Sequence, residues 1–166
     1  MLPLALVLAA VGTHPGGVAA GGGSLRAAPG HRLAAFSRGC FWGMEQRFRR
    51  VPGVIATAVG YMGGTEAFPT YASIHAHRTG HRETVLVEYD PKRVTYARLL
   101  DEFAHAKPGS RSMAWAFGAD QLRVARARFP EKAQTAPTFW LAEDYHQQYS
   151  EKNGLDLCPV RNSSSG

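Results

Sequence analysis

The stretch Leu33-Ala34-Ala35-Phe36-Ser37-Arg38-Gly39-Cys40-Phe41-Trp42-Gly43-Met44 decides how this chain folds, because it passes from a strand pattern to a helix pattern across a cysteine. Leu33 to Ser37 is a short apolar run. Met44, Phe48 and Val51 then fall at helical spacing until Pro52-Gly53 ends the run. Cys40 therefore sits at a helix N-terminus, where unpaired backbone N–H groups and the positive end of the helix dipole favour an anion. On that ground its thiol is expected to titrate below the ordinary value of about 8.5. A buried structural cysteine is the competing reading of the same position.

Outward from this stretch, Val54 to Tyr61 reads as a strand and Met62 to Gly80 as a Gly/Thr/Pro loop. Glu83 to Tyr89 reads as a further strand, closed by Pro91. Thr95 caps a helix with Tyr96, Leu99, Leu100 and Phe103 on one face. A second amphipathic helix runs from about Asp120 to Arg128, and a final one from about Glu143 to Lys152. Mixed elements with a strand-helix-strand start predict an α+β fold: a two-layer α/β sandwich with a mixed sheet and an elaborated ferredoxin-like core. The Cys40 and Thr95 helices are expected to cover one sheet face.

At 166 residues, 45% apolar and 19% charged, the chain suits one domain with its own core. Residues 31–157 are assigned to it, residues 1–30 to a leader and residues 158–166 to a tail. No apolar run approaches the roughly 18 residues needed to span a bilayer, so no membrane partner is expected. The net charge of +6 includes a cluster at Arg47, Arg49 and Arg50. No zinc-finger spacing or recognition motif accompanies it, and nucleic acid is not expected as a partner. In the leader, Leu2 to Val11 has the length of a secretory h-region, and Val18-Ala19-Ala20 offers small residues for cleavage, although no Lys or Arg precedes the run. A signal peptide and export are the favoured reading. A low-complexity leader or misassigned start, with a cytoplasmic protein, is the alternative.

Cys40 and Cys158 are too distant in sequence for a metal knuckle or a Cys-x-x-Cys pair. They are either a structural disulfide or a nucleophile and its resolving partner. Val59-Gly60-Tyr61-Met62-Gly63-Gly64 ends a strand in three glycines around a phenol, which a plain turn also explains. Thr79-Gly80-His81-Arg82-Glu83 opens the next strand on a carboxylate. If the two strands are neighbours, Tyr61 and Glu83 meet, and a partly buried Glu83 can act as a general acid; an exposed strand-end glutamate is the plainer reading. Phe41 and Trp42 suit an apolar or methyl-bearing substrate group, or simple core packing. His146 is either the base of a cysteine hydrolase or part of a polar stripe with Tyr149. His75, His77 and His81 lack a completing carboxylate or cysteine, so no metal is assigned. Asn162-Ser163-Ser164 matches a glycosylation sequon, which a polar tail also explains.

Several of these segments, with others, resemble the peptide methionine sulfoxide reductase A family. The matches are Gly39 to Gly43, Val51-Pro52-Gly53-Val54, Val59 to Gly64, Pro69-Thr70-Tyr71, Thr79 to Glu83, Tyr89-Asp90-Pro91 and Ala142 to Tyr149. They stand in family order and cover roughly Leu33 to Gly154. The resemblance implies that Cys40 attacks the sulfur of methionine-S-sulfoxide and becomes a sulfenic acid. It implies that Glu83 protonates the sulfoxide oxygen, Tyr61 hydrogen-bonds it, Phe41 and Trp42 receive the methyl group, and His146 and Tyr149 support the site. Cys158 is the candidate resolving cysteine, with thioredoxin or dithiothreitol as external reductant and no bound cofactor. Substrates are oxidised proteins or free methionine sulfoxide, and the expected state is a monomer.

The chain also departs from that pattern. Between His105 and Ser112 the family's long loop is largely missing, and Arg111-Ser112 is the remnant of a Tyr-Arg-Ser element, so a second active-site tyrosine and a loop aspartate lack counterparts. Gln134 to Pro137 reads as a shortened strand that exposes a sheet edge. Loss of one hydrogen bond to the developing charge slows such chemistry about 10²-fold or more. A weakened enzyme is therefore one expectation. A non-catalytic sulfoxide-binding or partner-binding module, or an unstable truncated product, is the alternative.

Overall fold

In the computed structural model, which describes residues 26–76, 79–105 and 108–157, strand β1 (Arg32–Ser37) leads through Cys40 into helix α1 (Phe41–Arg49). Strand β2 (Val54–Met62), a short helix α2 (Tyr71–His75), strand β3 (Arg82–Tyr89) and helix α3 (Tyr96–Ala104) follow. Then come β4 (Met113–Ala116), α4 (Ala119–Arg128), β5 (Ala133–Thr135) and β6 (Trp140–Leu141). A 3-10 turn (Asp144–His146) and helix α5 (Tyr149–Lys152) complete the described elements.

The six strands form one sheet in the order β5-β4-β1-β3-β2-β6. β3 lies antiparallel between β1 and β2, β4 pairs antiparallel with β1, and β5 joins β4 in parallel. The inner four strands therefore have the ferredoxin-like order, with β5 and β6 added at the edges. The α+β sandwich with a mixed sheet is the fold expected from the sequence.

Side-chain alternation explains why the strands are nearly continuous in apolar residues. Ala34, Phe36, Val59, Val85 and Val87 face one cluster, and Leu33, Ala35, Ala58 and Leu86 face another. On the first face Phe36 stacks on Phe48 of α1 at 4.9 Å and meets Phe103 of α3 at 5.5 Å. The second face is closed by Trp115 and Phe139, with Ala27, Phe117 and Leu141 packed against it. Ala27 falls inside the segment read as leader, and the N–H of Ala28 donates to the buried Glu88. The packed domain thus begins before residue 31. Residues 1–25, which include the proposed signal peptide, lie outside the described residues.

Two elements differ from the sequence reading. The expected loop between Met62 and Gly80 contains α2, whose start is fixed by reciprocal Thr70 and Ser73 capping; five residues are too few for a periodic signal. The expected final helix is broken, because Gln148 takes a left-handed conformation at φ 48°. The arginine cluster is neutralised locally: Arg47 pairs with Glu102, Arg49 with Glu151 and Arg50 with Asp156. Among the described residues no helix is long and apolar enough to cross a membrane.

Candidate active site

Gly39, at φ 82°, turns the chain out of β1 so that Cys40 takes the N-cap position of α1, exposed to solvent. The cysteine opens a cleft of about 320 Å³. Tyr71, Ile74 and His75 of α2 form one wall, Arg82 and Glu83 the head of β3, and Arg111 the approach to β4. The sequence reading of Cys40 as a helix-start residue is correct in position, but the expected lowering of its thiol pKa is not what its surroundings produce. Although the residue is exposed, partial desolvation of its thiol at the cleft pushes the pKa up, and the Glu83 carboxylate pushes in the same direction. The N–H groups of Trp42 and Gly43 pull it down without prevailing, so the net shift is above the ordinary thiol value. Local sequence reveals a helix terminus but not the carboxylate that β3 brings beside it.

Glu83 is the second functional group, with a side chain only 13% exposed. Its Oε2 accepts the N–H of Phe41 at 3.0 Å, and its Oε1 lies 3.1 Å from His75 Nε2. The β2/β3 register places Tyr61 directly opposite Glu83, as neighbouring strands require. The Tyr61 side chain nevertheless stays out of the cleft. Its hydroxyl donates to Glu143 Oε2 at 2.7 Å, and burial followed by that carboxylate raises its pKa strongly.

Tyr71 is the phenol that lines the cleft. Its pKa is raised, first by burial and then by the charges of Glu83 and Cys40, with which it lines the cleft. Its backbone N–H donates to Glu143 Oε1 at 2.9 Å, so one carboxylate bridges the Tyr61 hydroxyl and the Tyr71 main chain. Burial pushes Glu143 up, but the hydrogen bonds from Tyr61 and Tyr71 prevail and lower it. Pro69-Thr70-Tyr71 was visible in the sequence as a motif, but its role depends on α2, which the sequence did not reveal.

Phe41 and Trp42 stand behind the cleft rather than in it. Phe41 is buried, 6.0 Å from Tyr61 and 5.1 Å from His146 between ring centroids. Trp42 stacks on Tyr149 at 3.8 Å and donates its indole N–H to His146 Nδ1 at 3.1 Å. The apolar lining expected from the two rings is supplied by Ile74 and the ring of Tyr71. An indole only donates, so His146 Nδ1 is the acceptor and the neutral ring carries its proton on Nε2, 3.7 Å from Glu143. Burial lowers the His146 pKa and favours that neutral form. Nδ1 is taken by the Trp42 indole and Nε2 is buried beside Glu143, so neither nitrogen makes a hydrogen bond to Cys40, as the cysteine hydrolase arrangement requires.

His81 is committed to the Gly64 N–H and the Glu66 carbonyl, and His75 to Glu83. Among the described residues no group of His, Cys, Asp or Glu is arranged to hold a metal. His77, Cys158 and the sequon at Asn162 lie outside the described residues.

The model of the family described as peptide methionine sulfoxide reductase matches residues 32–114. The peptide methionine sulfoxide reductase MsrA of Methanoculleus marisnigri is 43% identical over 151 residues, covering 75% of this chain and 92% of the relative. Among solved structures, methionine sulfoxide reductase A of Corynebacterium diphtheriae superposes with a TM-score of 0.68 at 30% identity, covering 94% of this chain and 92% of that one. Mxr1 of Saccharomyces cerevisiae, solved in complex with Trx2, shares the fold at a TM-score of 0.51 and 20% identity, covering 80% of this chain and 92% of that one.

Proposed function

Because this chain belongs to the peptide methionine sulfoxide reductase family, we infer that its cleft reduces methionine sulfoxide to methionine with Cys40 as the nucleophile. The protein is an oxidoreductase of that class. The observation that carries the assignment of roles is the convergence of Cys40, Glu83 and Tyr71 on one cleft.

The raised thiol and the adjacent Glu83 define the proton path. The Cys40 proton passes to Glu83, the thiolate attacks the sulfoxide sulfur, and Glu83 delivers that proton to the oxygen. Tyr71, protonated throughout the working range, donates a hydrogen bond to the same oxygen. The hydroxyl passes to Cys40 as the sulfur–oxygen bond of the substrate breaks. Thiol and sulfoxide become sulfenic acid and sulfide, so atoms and electrons balance without a bound cofactor. Tyr61 supports this step indirectly, since it holds the Glu143 carboxylate that anchors the N–H of Tyr71.

Cys158 is assigned as the resolving thiol. Supporting this, the Gln46 amide donates to the Leu155 carbonyl at 2.8 Å and accepts the Leu157 N–H at 2.9 Å, which brings residues 155–157 onto α1. A Cβ at Gly43, three residues past Cys40, would stand 3.5 Å from Leu157. The next residue is Cys158. Thioredoxin is proposed as the physiological reductant on the family resemblance and the Mxr1 complex. Arg82 and Arg111 give the cleft positive charge, suited to a substrate carboxylate beside the sulfoxide.

The test is dithiothreitol-dependent reduction of a methionine-S-sulfoxide peptide. Turnover is expected from the parent and none from Cys40→Ser; equal rates from both would refute the role of Cys40. Mass spectrometry after one equivalent of substrate without reductant is expected to show a Cys40 to Cys158 disulfide. A sulfenic acid that persists on Cys40 refutes the resolver.

A further inference from the structure

Glu83 gives up its proton to the sulfoxide oxygen, yet it must hold one again when the sulfenic hydroxyl leaves as water. Among the described residues, His75 is placed to supply it. His75 Nε2 lies 3.1 Å from Glu83 Oε1, while the other oxygen, Oε2, is occupied by the N–H of Phe41. The His75 side chain is 47% exposed against 13% for Glu83, so the imidazole is the wetter end of the pair. His75 is also held in place, because α2 carries it one turn after Tyr71 and the two rings lie 4.1 Å apart. Imidazole is the side chain that gains and loses a proton around neutral pH.

We propose that His75 is a positioning residue that orients Glu83 and relays protons from solvent to it between the two chemical steps. The proposal rests on the reading of Cys40 and Glu83 as the reacting pair. In the first step the thiol proton reaches the sulfoxide oxygen through Glu83, leaving the carboxylate. Imidazolium at His75 then protonates Glu83 and regains a proton from solvent. In the second step a thiolate, from Cys158 or an external dithiol, attacks the sulfenic sulfur. The Glu83 proton joins the departing hydroxide as water, and a disulfide forms; the incoming thiol has released its own proton to solvent, so the sum is neutral. The other titratable or charged groups around His75 are Tyr71 on its own helix, Cys40 at the start of α1, Arg82 beside Glu83, Arg111 before β4, and His146 with Glu143 from the C-terminal segment.

The experiment measures kcat with dithiothreitol and a methionine-S-sulfoxide peptide across about pH 6 to 9 for the parent, His75→Gln and His75→Ala. Glutamine keeps a hydrogen bond to Glu83 but carries no proton, and alanine does neither. Both variants are expected about tenfold below the parent at the alkaline end, with the gap closing toward the acidic end as solvent supplies the proton directly. Added imidazole is expected to restore His75→Ala. A His75→Gln enzyme with the parent's rate and pH profile would overturn the relay, as would a loss in His75→Ala that is constant with pH and unmoved by imidazole. If His75→Ala shows no cooperative melt, the profile of His75→Gln decides alone. A parent that reduces no sulfoxide at any pH would instead overturn the reading of Cys40, and the relay with it.

Discussion

Cys40 and Glu83 share one proton problem, and the structure makes its sign testable. The carboxylate raises the thiol pKa, so removing its charge lowers that pKa and increases the thiolate fraction at a fixed pH. Glu83→Gln is therefore expected to react faster with iodoacetamide at pH 8 than the parent, while sulfoxide turnover falls about 10² to 10⁴-fold because the acid is gone. Slower alkylation in the variant would contradict the geometry. The two tyrosines separate in the same way. Tyr71→Phe is expected to lower kcat about 10²-fold with an unchanged melt. Tyr61→Phe, which removes the donor to the part-buried Glu143, is expected to lower stability by about 1 kcal/mol, read by denaturant unfolding.

At the scale of elements, the wall behind the cleft is assembled by the segment after β6 rather than by α1 alone. The Gln147 side chain imitates a strand residue: its Oε1 accepts the Val59 N–H, and its Nε2 donates to the Val59 and Ala142 carbonyls. That commitment explains why the expected final helix breaks at Gln148. β6 itself is pinned where Gly60 lets it approach β2. A Cβ there would stand 2.2 Å from the Trp140 carbonyl and 2.5 Å from the Phe139 ring. Gly60→Ala is expected to cost several kcal/mol, about the upper range of overpacking, and to expose the edge of β2 to hydrogen exchange. On α1, Gln46→Ala releases the clamp on residues 155–157. Slower disulfide formation after the first turnover, with the same rate of methionine release, is the expected result; unchanged disulfide formation would remove the clamp from the mechanism.

For the whole molecule, one buried carboxyl ties the layers together. Glu45 of α1 accepts the Thr57 hydroxyl from β2 and the Gln148 N–H from the C-terminal segment, both at 2.8 Å. Burial raises its pKa to about 7, against the hydrogen bonds of Thr57 and Gln148 and the charge of Arg49. The folded state thus binds the proton more tightly than the unfolded chain. Its contribution is full below the unfolded value and is lost as pH rises through about 7. Unfolding free energy is expected to fall by about 2–3 kcal/mol from this group between pH 5 and 8. Glu45→Gln is expected to flatten that slope, and an unchanged slope would exclude Glu45 as its source. Neither the slope nor its source is visible in the chain order of these residues.

The fold was legible in the sequence because its signals are local. Apolar runs marked β1, β2 and β3, the Thr95 cap and its spacing marked α3, and the spacing of Met44, Phe48 and Val51 after Cys40 marked α1. The condition under which Tyr61 and Glu83 meet, that their strands are neighbours, was stated from the sequence, and the β2/β3 pairing meets it. The sequence by itself thus determined the ferredoxin-like core and the family, and pointed to Cys40 and Glu83 as the proposed reacting pair. Only the tertiary structure decided which phenol enters the cleft, that the thiol is raised rather than lowered, and that His75 stands on Glu83. Each of those depends on charges and hydrogen bonds between residues far apart in the chain, whose energies are fixed by separations of a few ångströms that no local pattern encodes.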